Sequence, residues 1–118
     1  MNQDQIIARF NKGEKFYFRI TIAIVTITLA FLIVGLSAVK AIVAVPAAIV
    51  EIATYLLYFN IGHLVYGFIR IFYYFFKIRP FHQEVTLKHT VISLIISPVN
   101  MVILYTAILL MALTGCVA

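Results

Sequence analysis

The stretch ITIAIVTITLAFLIVGLSAV, residues 20–39, decides the fold. In water its run of β-branched residues would argue for a strand. It is, however, twenty residues long without a charge, the length a helix needs to cross a hydrocarbon core of about 30 Å. An open strand in lipid leaves its backbone groups unpaired, so the helix is the reading that survives. Residues 20–39 are therefore expected to form a first membrane span.

The rest of the chain agrees with that setting. Of the 118 residues, 64% are hydrophobic and 11% charged, against roughly 45–50% and 25% in soluble domains. A soluble domain of this size has too much surface to hide so many Ile, Val, Leu and Phe side chains. The net charge of +5 then points to membrane orientation and anionic lipid; no basic stripe of the nucleic-acid-binding kind is present. A single cysteine, Cys116, excludes an intrachain disulfide and a thiolate zinc site.

On the N-terminal side, residues 1–18 are polar. Ile6, Ile7 and Phe10 recur at helical spacing after Asp4 as a cap, so a short amphipathic helix on the cytoplasmic membrane surface is expected. The first span lacks an Ala-x-Ala cleavage signal and is read as a retained anchor. On the other side, Lys40 interrupts and Pro46 suits the first turn of a helix. A second span is expected over residues 46–76, roughly 46 Å long and hence tilted, with Tyr73 and Tyr74 in the headgroup belt. The alternative is two shorter segments, 41–57 and 58–76, or a re-entrant pair. Residues 77–89 form a polar loop, and Thr86 or Thr90 is placed to cap a third span over 90–113, kinked at Pro98.

Arg9, Lys12, Lys15 and Arg19 precede the first span, and Lys77, Arg79 and Lys88 follow the second, with Lys40 alone between them. The positive-inside rule places the N-terminus and the 77–89 loop inside and the C-terminus outside. The expected fold is an all-α integral membrane protein of three transmembrane helices in one domain, in a bacterial or mitochondrial inner membrane.

Within the second span, Asn60, His63, Gly67, Arg70 and Tyr74 fall within roughly 80° of one another on a helix. With Asn60 and His63 near the midplane and Asn100 midway along the third span, a polar cluster between the second and third helices is expected. Its plain reading is helix–helix hydrogen bonding, with Gly62 and Gly67 permitting close approach. Its sharper readings make His63 an axial haem ligand, or set His63 and Arg70 with a tyrosine around a quinone headgroup or proton path. One intramembrane histidine supplies one ligand, so haem requires an assembly; His82 and His89 lie in or beside the loop. Glu51 is read either as reaching the headgroups or pairing with Lys40, or as a carboxylate on a proton or ion path. Lys77, Arg79, His82, Lys88 and His89 are read as a topology signal, or as contacts to anionic lipid or an acidic partner. Ser93/Ser97 and Ala44/Ala48 are small-xxx-small pairs. The ending LTGCVA resembles a lipobox, leaving acylation of Cys116 open.

No catalytic template fits, neither a phosphate loop nor His-Glu-x-x-His nor paired carboxylates. The expected function is a non-catalytic accessory subunit of a larger respiratory, transport or secretion complex, docking through the polar and aromatic face of the second span. The alternative is a self-assembling homo-oligomer of pore, lysis or immunity type.

Overall fold

The computed structural model describes residues 3–78 and 87–117. Its elements are α1 (Gln3–Ala41), α2 (Ala47–Tyr73), a π-helical turn (Tyr74–Ile78) and α3 (Lys88–Val117). Each of the three helices is long and apolar enough to cross a membrane. Arg79, His82 and Thr86 lie outside the described residues, as does the side chain of Cys116.

Helix α1 is 39 residues long, about 58 Å at 1.5 Å per residue, and so runs the full 60 Å of the molecule's long axis. The polar N-terminal segment is not a separate surface helix. It continues into the apolar stretch without a break, which makes α1, rather than the second span, the longest element. The reason is visible in the burial pattern. Lys12, Lys15 and Arg19 point outward, while Phe10, Glu14 and Tyr17 extend the inward face set by Thr21, Ile24 and Thr28. Asp4 in the first turn and Lys40 in the last also suit the helix dipole.

The end of α1 is a Schellman turn. The Ile42 N–H donates to the Val39 carbonyl and the Val43 N–H to that of Ala38. It places Ile42 at φ 54°, a left-handed conformation that a β-branched residue adopts at a cost of about 1–2 kcal/mol. Pro46 then stands at the N-cap of α2 without a side-chain cap. From Ala47 the helix is continuous to Tyr73, which rules out the division into two segments or a re-entrant pair. The π turn that follows leaves Lys77 outside and brings Ile78 in against Phe10 and Leu87.

The hydrogen-bonded pairs Glu14–Thr90 and Thr28–Asn100 set α1 and α3 parallel, whereas Glu14–Arg70 and Thr21–His63 set α1 and α2 antiparallel. Helix α3 makes the close backbone contacts to both neighbours; α1 and α2 meet mainly through long side chains. Helix α3 begins at Lys88, one turn-fraction before the expected Thr90, and runs on through Pro98.

Buried positions recur every three or four residues: Phe10, Glu14, Tyr17, Thr21, Ile24 and Thr28 on α1, and Thr90, Ser93, Ser97, Asn100, Leu104, Ala107 and Met111 on α3. That spacing is the seam of coiled-coil-like packing. Its composition is the reverse of a water-soluble bundle. Polar side chains fill much of the inside, and large apolar ones such as Ile33, Leu36, Ile95 and Val102 cover the outside.

Candidate functional site

The polar seam is the part of the molecule that carries chemistry, and it is arranged in layers along the bundle. At the basic end, Glu14 on α1 and Arg70 on α2 form a salt bridge of 2.8 Å, their side chains 4% and 11% exposed. Arg70 also donates to the Phe10 carbonyl and the Thr90 hydroxyl, both at 3.4 Å, and its guanidinium lies 4.7 Å from the centre of the Phe10 ring. Gly13 makes room for it, since a Cβ there would come within 2.8 Å of Nη1.

The same carboxylate completes α3. Thr90 is the third residue of that helix, and its N–H is one of the amides that no helical carbonyl reaches. It donates to Glu14 Oε2 at 3.2 Å, and the Thr90 hydroxyl donates to Oε1. The cap of α3 is therefore supplied by another helix, with Thr90 as the capped residue. A negative charge at this terminus also complements the helix dipole. One carboxylate joins all three helices.

The next layer holds His63. Its ring stacks on Tyr17 at 3.9 Å, and Nε2 lies 2.7 Å from the Thr21 hydroxyl. That hydroxyl also contacts the Tyr17 carbonyl at 3.1 Å. One hydroxyl proton serves both contacts only if His63 Nε2–H donates to Thr21 and Thr21 donates to Tyr17, which assigns the tautomer. The Tyr17 hydroxyl donates to the His63 carbonyl at 2.7 Å. Gly67, one turn along from His63, is what admits it: a Cβ at Gly67 would overlap the Tyr17 hydroxyl and stand 2.7 Å from Leu94 Cδ2.

Further along, Asn100 donates to the Thr28 hydroxyl at 3.0 Å. Asn60, Ser93 and Ser97 are buried between these layers, with Asn60 Nδ2 and both serine hydroxyls lacking a partner among the described residues. At the far end the Val45 N–H donates to Thr114 Oγ1 at 2.9 Å, tying the α1–α2 connection to α3.

The face read from the sequence is thus present: Asn60, His63 and Gly67 are buried together on α2, in line with Arg70. Its partners differ from those expected. His63 and Arg70 bond to α1, and Asn100 bonds to α1 as well, so no hydrogen-bonded Asn60/His63/Asn100 cluster forms. His63 also lies opposite Thr21, near the basic end of residues 20–39 and not at their middle; Thr28 and Asn100 occupy the middle. The expectation assumed equal overhang of α2 at both ends, whereas its aromatic end reaches past the apolar stretch.

Glu51 is exposed, and among the described residues it forms no ion pair with Lys40. Lys77 and Lys88 are exposed at the basic end. Thr21 occupies Nε2 of His63 and Tyr17 one face of its ring, so a haem or quinone that used either would have to displace them. Among the described residues no group of three His, Cys, Asp or Glu is placed to hold a metal.

Sequence reasoning missed Glu14, Tyr17, Thr21 and Thr28, and took Thr90 as a cap where it is the residue capped. The signal was their phase: counted from Phe10, the α1 residues fall on one inward stripe that starts well before residue 20. No protein-family model matches the chain, and neither a curated protein nor a solved structure matches it.

Proposed function

We propose that the chain is a three-span integral membrane protein, N-terminus and 77–89 loop inside and C-terminus outside, that serves as a non-catalytic subunit of a larger inner-membrane assembly. Support for the membrane setting comes from three long apolar helices with their polar side chains turned inward. Support for the orientation comes from the collection of Arg9, Lys12, Lys15, Arg19, Lys77 and Lys88 at one end.

The observation that carries the docking role is a pair of tyrosines. Tyr55 and Tyr58 are 68% and 63% exposed on the outer side of α2, and their hydroxyls bond to no described residue. Counted from the Thr21–His63 level, they stand about 14 and 9 Å inside a core of about 30 Å. Tyrosine favours the interfaces, because a phenol hydroxyl in hydrocarbon wants an acceptor. Phe59 and Gly62 flank them, and nothing lies within 4 Å of a Cβ added at Gly62. A partner helix laid there would approach closely and supply acceptors. Docking thus uses the aromatic side of α2, its polar residues being engaged within the chain.

The homo-oligomeric pore is the less favoured reading. It needs Asn60, His63 and Arg70 around a lumen, and these residues face α1 and α3. Native mass spectrometry of the tagged chain, extracted in mild detergent, separates the two. A defined hetero-complex that Tyr58→Phe weakens is the expected result. A ring of identical copies, or a monomer with no partner, would refute the accessory-subunit reading.

A further inference from the structure

At the basic end, the first turns of α1 and the last turns of α2 diverge and leave a cleft of about 590 Å³. That is within the roughly 300–1,000 Å³ of small-molecule sites. Ile6, Phe10, Ile69 and Tyr73 give it apolar walls, and Arg9 and Arg70 give it cationic ones. We infer that this cleft binds the headgroup of an anionic phospholipid of the inner leaflet, with Arg9 and Arg70 on the phosphate and the acyl chains leaving past Tyr66 into the bilayer.

Four observations converge on that occupant. Arg70 is fixed by Glu14, Thr90 and Phe10 through Nε and Nη2, while Nη1 bonds to no described residue and lies toward Gly13, which lines the cleft. A held guanidinium with a spare donor suits a phosphate oxygen, since little side-chain freedom is lost on binding. Arg9 is exposed beside it without an ion pair among the described residues, so the cleft carries a net positive charge even with Glu14 neutralising Arg70. Counted from the Thr21–His63 level, the cleft runs from Tyr66, about 3 Å outside the charge-free stretch 20–39, outward past Arg70 at about 9 Å, so its inner edge lies at headgroup depth. Finally, Tyr66 and Ile69, exposed on the membrane side of Arg70, offer acyl chains an apolar edge toward the bilayer.

A soluble anion fits this shape less well. Its binding would leave the apolar walls uncovered, whereas a lipid covers walls and cations together. The site differs from the exposed Lys77 and Lys88 in having a fixed cation and a concave floor.

The inference rests on the membrane-spanning reading, and the test separates the two. Membranes holding the full chain are first washed in alkaline carbonate; release of the chain would refute the spans themselves. The retained chain is then purified in mild detergent and titrated with phosphatidylglycerol or phosphatidylcholine, with bound lipid counted by native mass spectrometry. The expected result is one preferred phosphatidylglycerol, with binding about tenfold weaker in Arg9→Gln. Lys12→Gln, which removes the same charge from an exposed position outside the cleft, is expected to change it by less than about twofold. Both positions are exposed, so neither variant threatens the fold. Equal binding of the two lipids, or equal loss in the two variants, would overturn the inference. Displacement of the lipid by inorganic phosphate would overturn the lipid assignment in favour of a soluble-anion site.

Discussion

Replacing Glu14 by alanine removes three things together: the counter-ion of Arg70, the acceptor for the Thr90 N–H and the negative charge at the N-terminus of α3. The pair is 2.8 Å apart with side chains 4% and 11% exposed, so solvent screens it little. Removing one member of a buried pair costs about 3–5 kcal/mol, chiefly because the other charge stays behind unpaired. Loss of a cap adds about 1 kcal/mol. Against a total stability of about 5–15 kcal/mol, the combined loss of about 4–6 kcal/mol in Glu14→Ala should remove a quarter or more of it and unfold the bundle at the lower end of that range. Arg70→Met should cost less, because Glu14 keeps both bonds to Thr90. In the double variant Glu14→Ala/Arg70→Met no charge is stranded, and it should recover about 2 kcal/mol or more relative to the sum of the singles. The exchanged pair Glu14→Arg/Arg70→Glu should not recover. It restores opposite charges across α1 and α2 but directs a cation at the unpaired amides of α3, where the dipole also opposes it. The assay is unfolding of the purified chain in mixed micelles with a rising fraction of denaturing detergent. Far-ultraviolet circular dichroism serves as the readout, because the sequence has no tryptophan. Single variants that each cost under about 1 kcal/mol and combine additively would refute the buried-pair reasoning. A fully rescued exchange variant would refute the cap.

In the same assay Gly67→Ala is expected to cost about 1–3 kcal/mol, because the new Cβ overlaps the Tyr17 hydroxyl and crowds Leu94. Gly62→Ala, with open space around it, should be neutral or stabilise by up to about 1 kcal/mol. Asn60→Leu should be neutral or stabilising, since its Nδ2 already lacks a partner among the described residues. Asn100→Leu should lose about 0.6–2 kcal/mol with the bond to Thr28; the opposite order of these two variants would count against the assignment of partners. Ile42→Gly should raise stability by about 1 kcal/mol by releasing the left-handed conformation at φ 54°, and a loss of stability would show that the Schellman turn is absent.

The helices were legible because apolar runs and charge breaks mark them directly: residues 20–39, the proline at 46 and the charges after 76. The inward face of α2 was legible too, since Asn60, His63, Gly67 and Arg70 stand out against aromatic neighbours. What stayed hidden was the other half of each contact. Glu14 lies in a segment so polar that a carboxylate draws no notice, and Thr21 and Thr28 read as ordinary members of a β-branched run. A threonine in an apolar helix commonly satisfies its hydroxyl on its own backbone, as Thr26 and Thr54 do here. Composition does not separate those from Thr21 and Thr28, whose oxygens accept from His63 and Asn100; only the phase of the stripe does. The start of α3 was misplaced for a similar reason. Its cap comes from a residue 76 positions away, and no local capping rule reaches that far.

The distribution of these bonds along the bundle bears on where a partner attaches. In the proposed membrane setting apolar packing gives no hydrophobic drive between helices, because lipid competes on equal terms. Hydrogen bonds and the ion pair then weigh more, and they crowd toward one end: Glu14, Arg70 and Thr90, then Tyr17, Thr21 and His63. Beyond Thr28 and Asn100 the interior becomes Ala53, Leu104 and Met111 with Phe31, Ile49 and Ile108, joined among the described residues by close packing and the tie from Val45 to Thr114. The basic end is self-sufficient, and the other half has little besides shape to choose it over lipid. Tyr58 lies just before that second half and Tyr55 at its threshold, both on the outside of α2. In the proposed assembly a partner helix that met these tyrosines and ran on along α2 would satisfy the phenol hydroxyls and brace the part of the bundle that its own sequence leaves least specified, and docking and completion of the fold would then be one event.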